Sequence, residues 1–448
     1  MAADLGALPA LNAAINESSI SGLSSGGFMA VQFGTAWSST IKGVGVVSGG
    51  PFYCAQSSLV TAMGACMIGP PPSLRVSTER ANSAAQSGDI DSTDNLQRQQ
   101  IYLFHGYNDG TVARSVTDAL AKFYEHYLGH DRNGHLFYQT ALGAGHAFIV
   151  ANAPETADLN DCSVTKSPFI DRCGRYDQAG VILRHIYGAL NAPRDSGLFS
   201  GTIKSFDQSN YTSPDAPGAL SLGHDGYVFV PKDCEALTGP ACRVHIVLHG
   251  CEQNAESVGR QVVDKMSFNA WADTNRIIVL YPQTTARTLW LGPYNPLGCW
   301  DWWGYLSGDN SYVTRSGGQI KAIKLMLDAL TAGYRADSSA PAPDTVPNAL
   351  VNDTSDTAVA LAWTPIRGAT ACRVWRAGSD GRFAPVGSTA ALSFADLGLA
   401  PQTSYRWRVT AIINGTEGPT SMEAAATTRA RPPQCEQAGS CPVAGQAK

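Results

Sequence analysis

Ser24 lies in Gly22-Leu23-Ser24-Ser25-Gly26, a G-x-S-x-G pentapeptide. A serine hydroxyl is a weak nucleophile until a base takes its proton and a third group orients that base. In a nucleophile elbow the glycines remove the Cβ atoms that would hold strand and helix apart, and the serine is presented at the helix N-terminus. In a Gly- and Ser-rich chain the pentapeptide alone is a chance-prone match, so its surroundings carry the argument. A short strand precedes it, and Phe28 with Val31 and Met29 with Phe33 follow at helical spacing. Downstream, the apolar run 101–104 enters His105-Gly-Tyr-Asn-Asp-Gly-Thr-Val112, which puts Asp109 in the loop after a strand. Residues 136–140 then lead to Ala141-Leu-Gly-Ala-Gly-His-Ala-Phe148 and put His146 in a glycine-flanked loop. Ser, Asp and His in that order suit a triad with His146 as base and Asp109 as its orienting acid. The bland alternative is that Asp109-Gly110 only makes a turn. His126, His130 and His135 lie on or beside one helix and His185 within another, which reads as surface or structural. The oxyanion of acyl transfer needs donors, and the backbone N–H groups of Ser25 and of Cys251 are the candidates. Cys251 follows the apolar strand 244–248 in His249-Gly250-Cys251.

These loops need a parallel sheet behind them. Residues 1–337 alternate apolar strands (44–47, 101–104, 136–140, 227–230, 244–248, 277–281) with amphipathic helices (115–127, 176–189, 318–332), an α/β pattern. In the last helix Ile320, Ile323, Leu325, Met326, Leu327 and Leu330 supply the expected buried face. An α/β-hydrolase places several strands before its elbow, yet only about 20 residues precede Ser24 here. The strands at 227, 244 and 277 and the helix from 318 would supply the missing part, so the catalytic domain 1–337 reads as a circularly permuted α/β-hydrolase. Residues 338–347, rich in Ser, Ala and Pro, read as a linker. Residues 348–428 show short alternating strands, with Trp363 as an early buried aromatic and Leu399-Ala-Pro-Gln-Thr-Ser-Tyr405 suiting a tyrosine corner. This part resembles a fibronectin type III β-sandwich. Residues 429–448 read as a polar tail.

The composition narrows the chemistry. Lys and Arg number 32 against 37 Asp and Glu, and charged residues make up 15% of the 448, against an average of about 25%. That excludes a nucleic-acid partner. No run of about 20 apolar residues suits a membrane span. The 11 cysteines fall into local pairs, Cys54 with Cys66, Cys162 with Cys173, Cys234 with Cys242 and Cys435 with Cys441. Cys251 and Cys299 lie farther apart and Cys372 is left over. None forms CxxC or lies near histidines at zinc-finger spacing, so disulfides in an oxidising compartment outrank metal ligands. The N-terminal residues show neither a basic start nor an apolar h-region, so a signal peptide has been replaced by Met1 or export takes another route. No cofactor is implied.

With the elbow, His249-Gly-Cys-Glu-Gln253 and Asn295-Pro-Leu-Gly-Cys-Trp-Asp-Trp-Trp-Gly304 in view, residues 1–335 resemble extracellular poly(3-hydroxybutyrate) depolymerases. The similarity is to the type whose serine box precedes the oxyanion segment, including a circularly permuted single-domain form. The resemblance implies Ser24, Asp109 and His146 as triad, Cys251 as oxyanion donor, a Cys251–Cys299 disulfide, secretion, and a short-chain polyester or its oligomers as substrate. It also implies a polymer-binding domain after the fibronectin-like one. The tail of about 20 residues is too short for that, which points to oligomers or amorphous polymer, or to a shortened chain. Three tryptophans in four residues beside an expected disulfide exceed what packing demands; Trp302, Trp303 and Tyr305 are expected to form a hydrophobic substrate wall, with Trp300 in the core. Feruloyl and acetyl-xylan esterases, which can share the H-G-C segment, are the rival enzymes; a noncatalytic matrix-binding protein is the rival from another class.

Overall fold

The computed structural model describes residues 6–129, 132–151, 158–195, 198–212, 217–288, 294–335, 347–366, 368–413 and 415–432. Of the expected linker (338–347) residues 338–346, and of the expected tail (429–448) residues from 433 on, lie outside the described residues.

Eight strands form one sheet: β1 (Ser18–Leu23), β2 (Ile41–Val47), β3 (Gln100–Phe104), β4 (Leu136–Gln139), β8 (Thr202–Asp207), β9 (Asp225–Val230), β10 (Arg243–Leu248) and β11 (Ile277–Tyr281). Between β4 and β8, the short β5 (Phe148–Val150), β6 (Asn160–Asp161) and β7 (Ile170–Arg172) make a separate small sheet. The large sheet runs β4-β3-β2-β1-β10-β11-β9-β8, parallel from β4 through β11 and antiparallel at β9 and β8. Strands β3 and β11 are buried on both faces, which is why they read as near-continuous apolar runs; β1 is as fully buried but carries serines and a glycine. Helix Ser25–Ala36 is buried along its whole length, and Arg114–Leu128 turns Val116, Leu120, Phe123 and Tyr124 inward.

The order of the strands bears out the permuted α/β-hydrolase. The elbow strand β1 lies between β2 and β10, and the strands that complete its far side, β8 to β11, come later in the chain. Helix Gly318–Thr331 ends beside the start of the chain, where the Leu11 N–H donates to the Leu330 carbonyl (2.9 Å). In an unpermuted chain that helix would lead directly into β1. The helix buries the expected side chains except Leu325, which faces outward at 39% exposure.

The C-terminal part is a two-sheet antiparallel sandwich: β12 (Leu350–Thr354), β13 (Ala358–Ala362) and β16 (Ser393–Leu397) face β15 (Phe383–Thr389), β14 (Ala369–Ala377), β17 (Ser404–Ile413) and β18 (Thr416–Thr420), with β19 (Ala424–Thr427) also on β17. Trp363, Trp407, Leu361 and Val374 fill its core, and the Tyr405 hydroxyl accepts the Ala400 N–H (3.0 Å), a tyrosine corner. The fold is the expected fibronectin type III-like one.

Among the described residues four disulfides close, Cys54–Cys66, Cys162–Cys173, Cys234–Cys242 and Cys251–Cys299, and Cys372 is a buried free thiol. The fifth bridge expected from the sequence, joining Cys435 and Cys441, is not among them. Both Cys435 and Cys441 fall in the tail, outside the described residues.

Candidate active site

Ser24 stands between β1 and the helix Ser25–Ala36 with φ 56° and ψ −121°, a left-handed conformation that a non-glycine residue enters only under strain. Two glycines make the turn. A Cβ on Gly22 would lie 2.3 Å from the Gly26 carbonyl, and one on Gly26 would lie 2.4 Å from the His249 carbonyl oxygen. The elbow is thereby pressed against the end of β10.

Asp109 and His146 come from the loops after β3 and β4. Those loops are laced together: Tyr107 and Asn108 N–H groups donate to the Leu142 and Ala144 carbonyls. Asp109 Oδ1 accepts the N–H groups of Thr111 and Val112 (2.8 and 3.1 Å), which leaves Oδ2 facing His146 Nδ1 at 2.8 Å. Burial pushes the Asp109 carboxyl up, but the adjoining His146 imidazole, with His105 and Ser48 behind it, outweighs burial and holds it well below the usual carboxylate range. Thr165 Oγ1 accepts the His146 N–H (2.8 Å). Ser24 and His146 face one cleft without a direct hydrogen bond between them, a spacing common in unliganded sites.

The loop 249–251 after β10 is fixed from three sides. His249 Nε2 accepts the Thr284 N–H (3.1 Å), which puts the ring proton on Nδ1, directed at the Gly250 carbonyl (2.7 Å). Burial lowers this imidazole to about 4, so it stays neutral. Gln253 Oε1 accepts the Gly250 N–H (2.7 Å), while its amide donates to the carbonyls of Pro168 and Phe169. The Cys251–Cys299 disulfide ties the loop to the tryptophan segment, where Trp300 Nε1 donates to the His249 carbonyl (3.0 Å). Ser25 N–H opens its helix, where no intrahelical acceptor exists. Cys251 N–H makes no backbone hydrogen bond among the described residues.

These groups line a cleft of about 430 Å³. Phe28 stacks on Trp302 (centroids 4.4 Å), and Trp302 meets Trp303 edge-on (5.5 Å). Leu59, Met63 and Met67, from the segment held by Cys54–Cys66, form a second side, and Phe169, Pro296 and Leu297 a third.

No family model matches the chain. A poly(3-hydroxybutyrate) depolymerase of Delftia acidovorans is 40% identical over 427 residues, covering 93% of this chain and 80% of that protein. A polyhydroxybutyrate depolymerase of Talaromyces funiculosus is 38% identical over 338 residues, 73% of this chain and 94% of its own. Among solved structures, a PHB depolymerase with a serine-to-alanine change, complexed with an R3HB trimer, superposes with TM-score 0.64 at 36% identity, over 73% of this chain and 100% of its own. The Penicillium funiculosum enzyme gives 0.63, with the same identity and coverage. The chain belongs to the poly(3-hydroxybutyrate) depolymerase family.

In this member of the depolymerase family Trp302 and Trp303 line the cleft and Trp300 is fully buried. Tyr305, grouped with them from the sequence, does not line it. Its hydroxyl is spent behind the loop, donating to the Cys299 carbonyl and accepting from Asn295 Nδ2 (both 3.0 Å), and its ring props Trp303 (4.7 Å). A tyrosine held at both ends supports the wall rather than forming it. The contributions of Leu59, Met63, Met67 and Phe169 were not legible in the sequence; the one available signal was that Cys54 and Cys66 enclose Leu59 and Met63. Among the described residues no cluster of His, Cys, Asp or Glu could hold a metal ion, and no helix is long and apolar enough to cross a membrane.

Proposed function

We propose that this chain is a secreted serine esterase that hydrolyses poly(3-hydroxybutyrate) or related short-chain polyhydroxyalkanoates and their oligomers. The observation that carries the reading is the convergence of Ser24, the His146–Asp109 pair and the Ser25 and Cys251 N–H groups on one cleft walled by apolar side chains. His146 Nε2 takes the Ser24 proton as Oγ attacks the ester carbonyl; Asp109 holds the ring by Nδ1 and stabilises its charged form. The two N–H groups hold the oxyanion. Collapse expels the alcohol end of one fragment, protonated by His146. Water, activated by the same imidazole, then releases the other as a free acid. An apolar wall suits methyl-bearing repeat units, and the R3HB trimer bound by a related depolymerase supports the same substrate class. The four disulfides suit an oxidising, extracellular setting.

Ser24→Ala tests the assignment. We expect clearing of a poly(3-hydroxybutyrate) suspension and hydrolysis of p-nitrophenyl butyrate to fall by about 10³-fold or more with the melting temperature retained. Unchanged hydrolysis would remove Ser24 from the mechanism. Release of ferulate or acetate from plant polysaccharide by a wild-type protein inactive on the polyester would replace the substrate.

A further inference from the structure

The cleft that holds Ser24 is almost uncharged. Among the described residues lining it, Glu252 is the only carboxylate, and there is no lysine or arginine. Glu252 follows the oxyanion donor Cys251 directly and is exposed. Its backbone has little freedom. It is left-handed at φ 58°, its N–H donates to the Leu297 carbonyl (2.8 Å), and it lies between a disulfide cysteine and the buried, doubly bonded Gln253. The side chain therefore starts from a fixed point at the cleft, and no cation lies within ion-pairing distance of its carboxylate among the described residues.

Resting on the esterase reading above, we propose that Glu252 is a specificity determinant that disfavours chains presenting a free carboxylate in the cleft and so directs attack to ester bonds away from the carboxylate end. Each hydrolysis consumes one water and leaves one alcohol end and one carboxylic acid, which is ionised at neutral pH. A polyester segment is neutral until its acid terminus enters the cleft. There, apolar walls reduce the screening between that terminus and Glu252, and like charges repel. The transition-state oxyanion is common to every substrate, so its own interaction with Glu252 cancels when two substrates are compared. What remains is discrimination between a charged and a neutral chain end.

The test compares the trimer of (R)-3-hydroxybutyrate as its free acid with the same trimer capped as the neutral carboxamide. The readout is the ratio of kcat/KM, amide over acid, for cleavage of the internal esters. In low-salt buffer at pH 7.5 we expect Glu252→Gln to lower the ratio by about 3- to 10-fold and Glu252→Lys to lower it further. We expect 1 M NaCl to compress the wild-type ratio toward that of Glu252→Gln, because exposed charges are screened over a few ångströms at that strength. Equal ratios in the three proteins, with the wild type active on both trimers, overturn this proposal alone. A wild type inactive on both trimers overturns the esterase reading, and this proposal with it.

Discussion

Ser24 at φ 56° is strained, and so is its neighbourhood: Glu252 at 58° and Ser48 at 52° lie in the loops that meet it. Such conformations persist only where surrounding bonds over-determine them. Gln253 supplies several of those bonds at once. Fully buried, it accepts from Gly250 on the oxyanion loop and donates to Pro168 and Phe169, beside the Thr165 that holds His146. It thus couples the loop proposed to bind the oxyanion to the segment that braces the proposed base. Gln253→Leu fills similar space but leaves the Gly250 N–H and the Pro168 carbonyl without these partners. Hydrolysis of p-nitrophenyl butyrate is expected to lose about 10- to 100-fold in kcat with KM moving far less, because the interaction at risk forms with the oxyanion and not with the ground state. A rise in KM at constant kcat would show that Gln253 only shapes the cleft. The residue was in plain view in His249-Gly-Cys-Glu-Gln253, but the Pro168 carbonyl that its amide reaches lies 85 positions earlier, and no local pattern joins the two segments.

Among the elements, the loop after β10 that is proposed to bind the oxyanion and the tryptophan segment are held together by Cys251–Cys299, which closes a 48-residue loop. In the chain-entropy model a loop of that length is worth about 4 kcal/mol, an upper figure here because Trp300 and Gln253 also anchor the segments. The double change Cys251→Ala with Cys299→Ala avoids a stray thiol. It is expected to lower stability in urea by up to that amount and kcat by about tenfold in the fraction still folded. Lost stability with undiminished kcat would reduce the bridge to a staple with no part in aligning the Cys251 N–H. The elements legible from their apolar runs were those that bury two faces, such as β3 and β11, whereas β1, equally buried but built as Ser-Ser-Ile-Ser-Gly-Leu, was placed only by the elbow that follows it. Those that escaped lacked such a pattern. Edge strand β8 exposes Thr202 and half-buries Ile203, Lys204 and Ser205, and β5 to β7 are two or three residues each, too short for a period to show, with Cys162–Cys173 closing the ends of β6 and β7.

At the scale of the whole molecule, the C-terminal sandwich is docked on the hydrolase part beside the edge strand β4. The strand β13 explains why composition could not reveal this: Val359 and Leu361 enter the sandwich's own core, while Ala358 and Ala360 join the cluster containing Phe137 and Ile182. Small residues on what reads as an ordinary outer face give no sign of a partner. The rest of the contact is polar. Ser393 Oγ donates to the His185 carbonyl (2.6 Å), Asn352 Nδ2 to that of Val181 (3.0 Å), and buried Asp353 accepts from the Tyr176 hydroxyl (2.7 Å) and Gln139 Nε2 (3.2 Å). The Gln139 carbonyl in turn accepts the His105 N–H (3.0 Å) at the start of the Asp109 loop, so docking reaches toward the proposed triad. Burial pushes the Asp353 carboxyl up to about 6, against the opposing pull of Tyr176, Arg429 and Gln139. Its folded pKa is therefore above the unfolded value of about 3.9, so the native state holds its proton longer. That contribution is fully present below about pH 4 and is lost as pH rises through 6, by at most about 3 kcal/mol. Asp353→Asn removes the titration while keeping an acceptor for Tyr176. Urea denaturation at about pH 4.5, 6 and 8 should then show the wild type losing stability relative to the variant with rising pH, most of it over the lower of the two intervals. Parallel stability curves for the two proteins would mean that Asp353 meets water in the folded chain and takes no part in a pH-dependent docking of the sandwich.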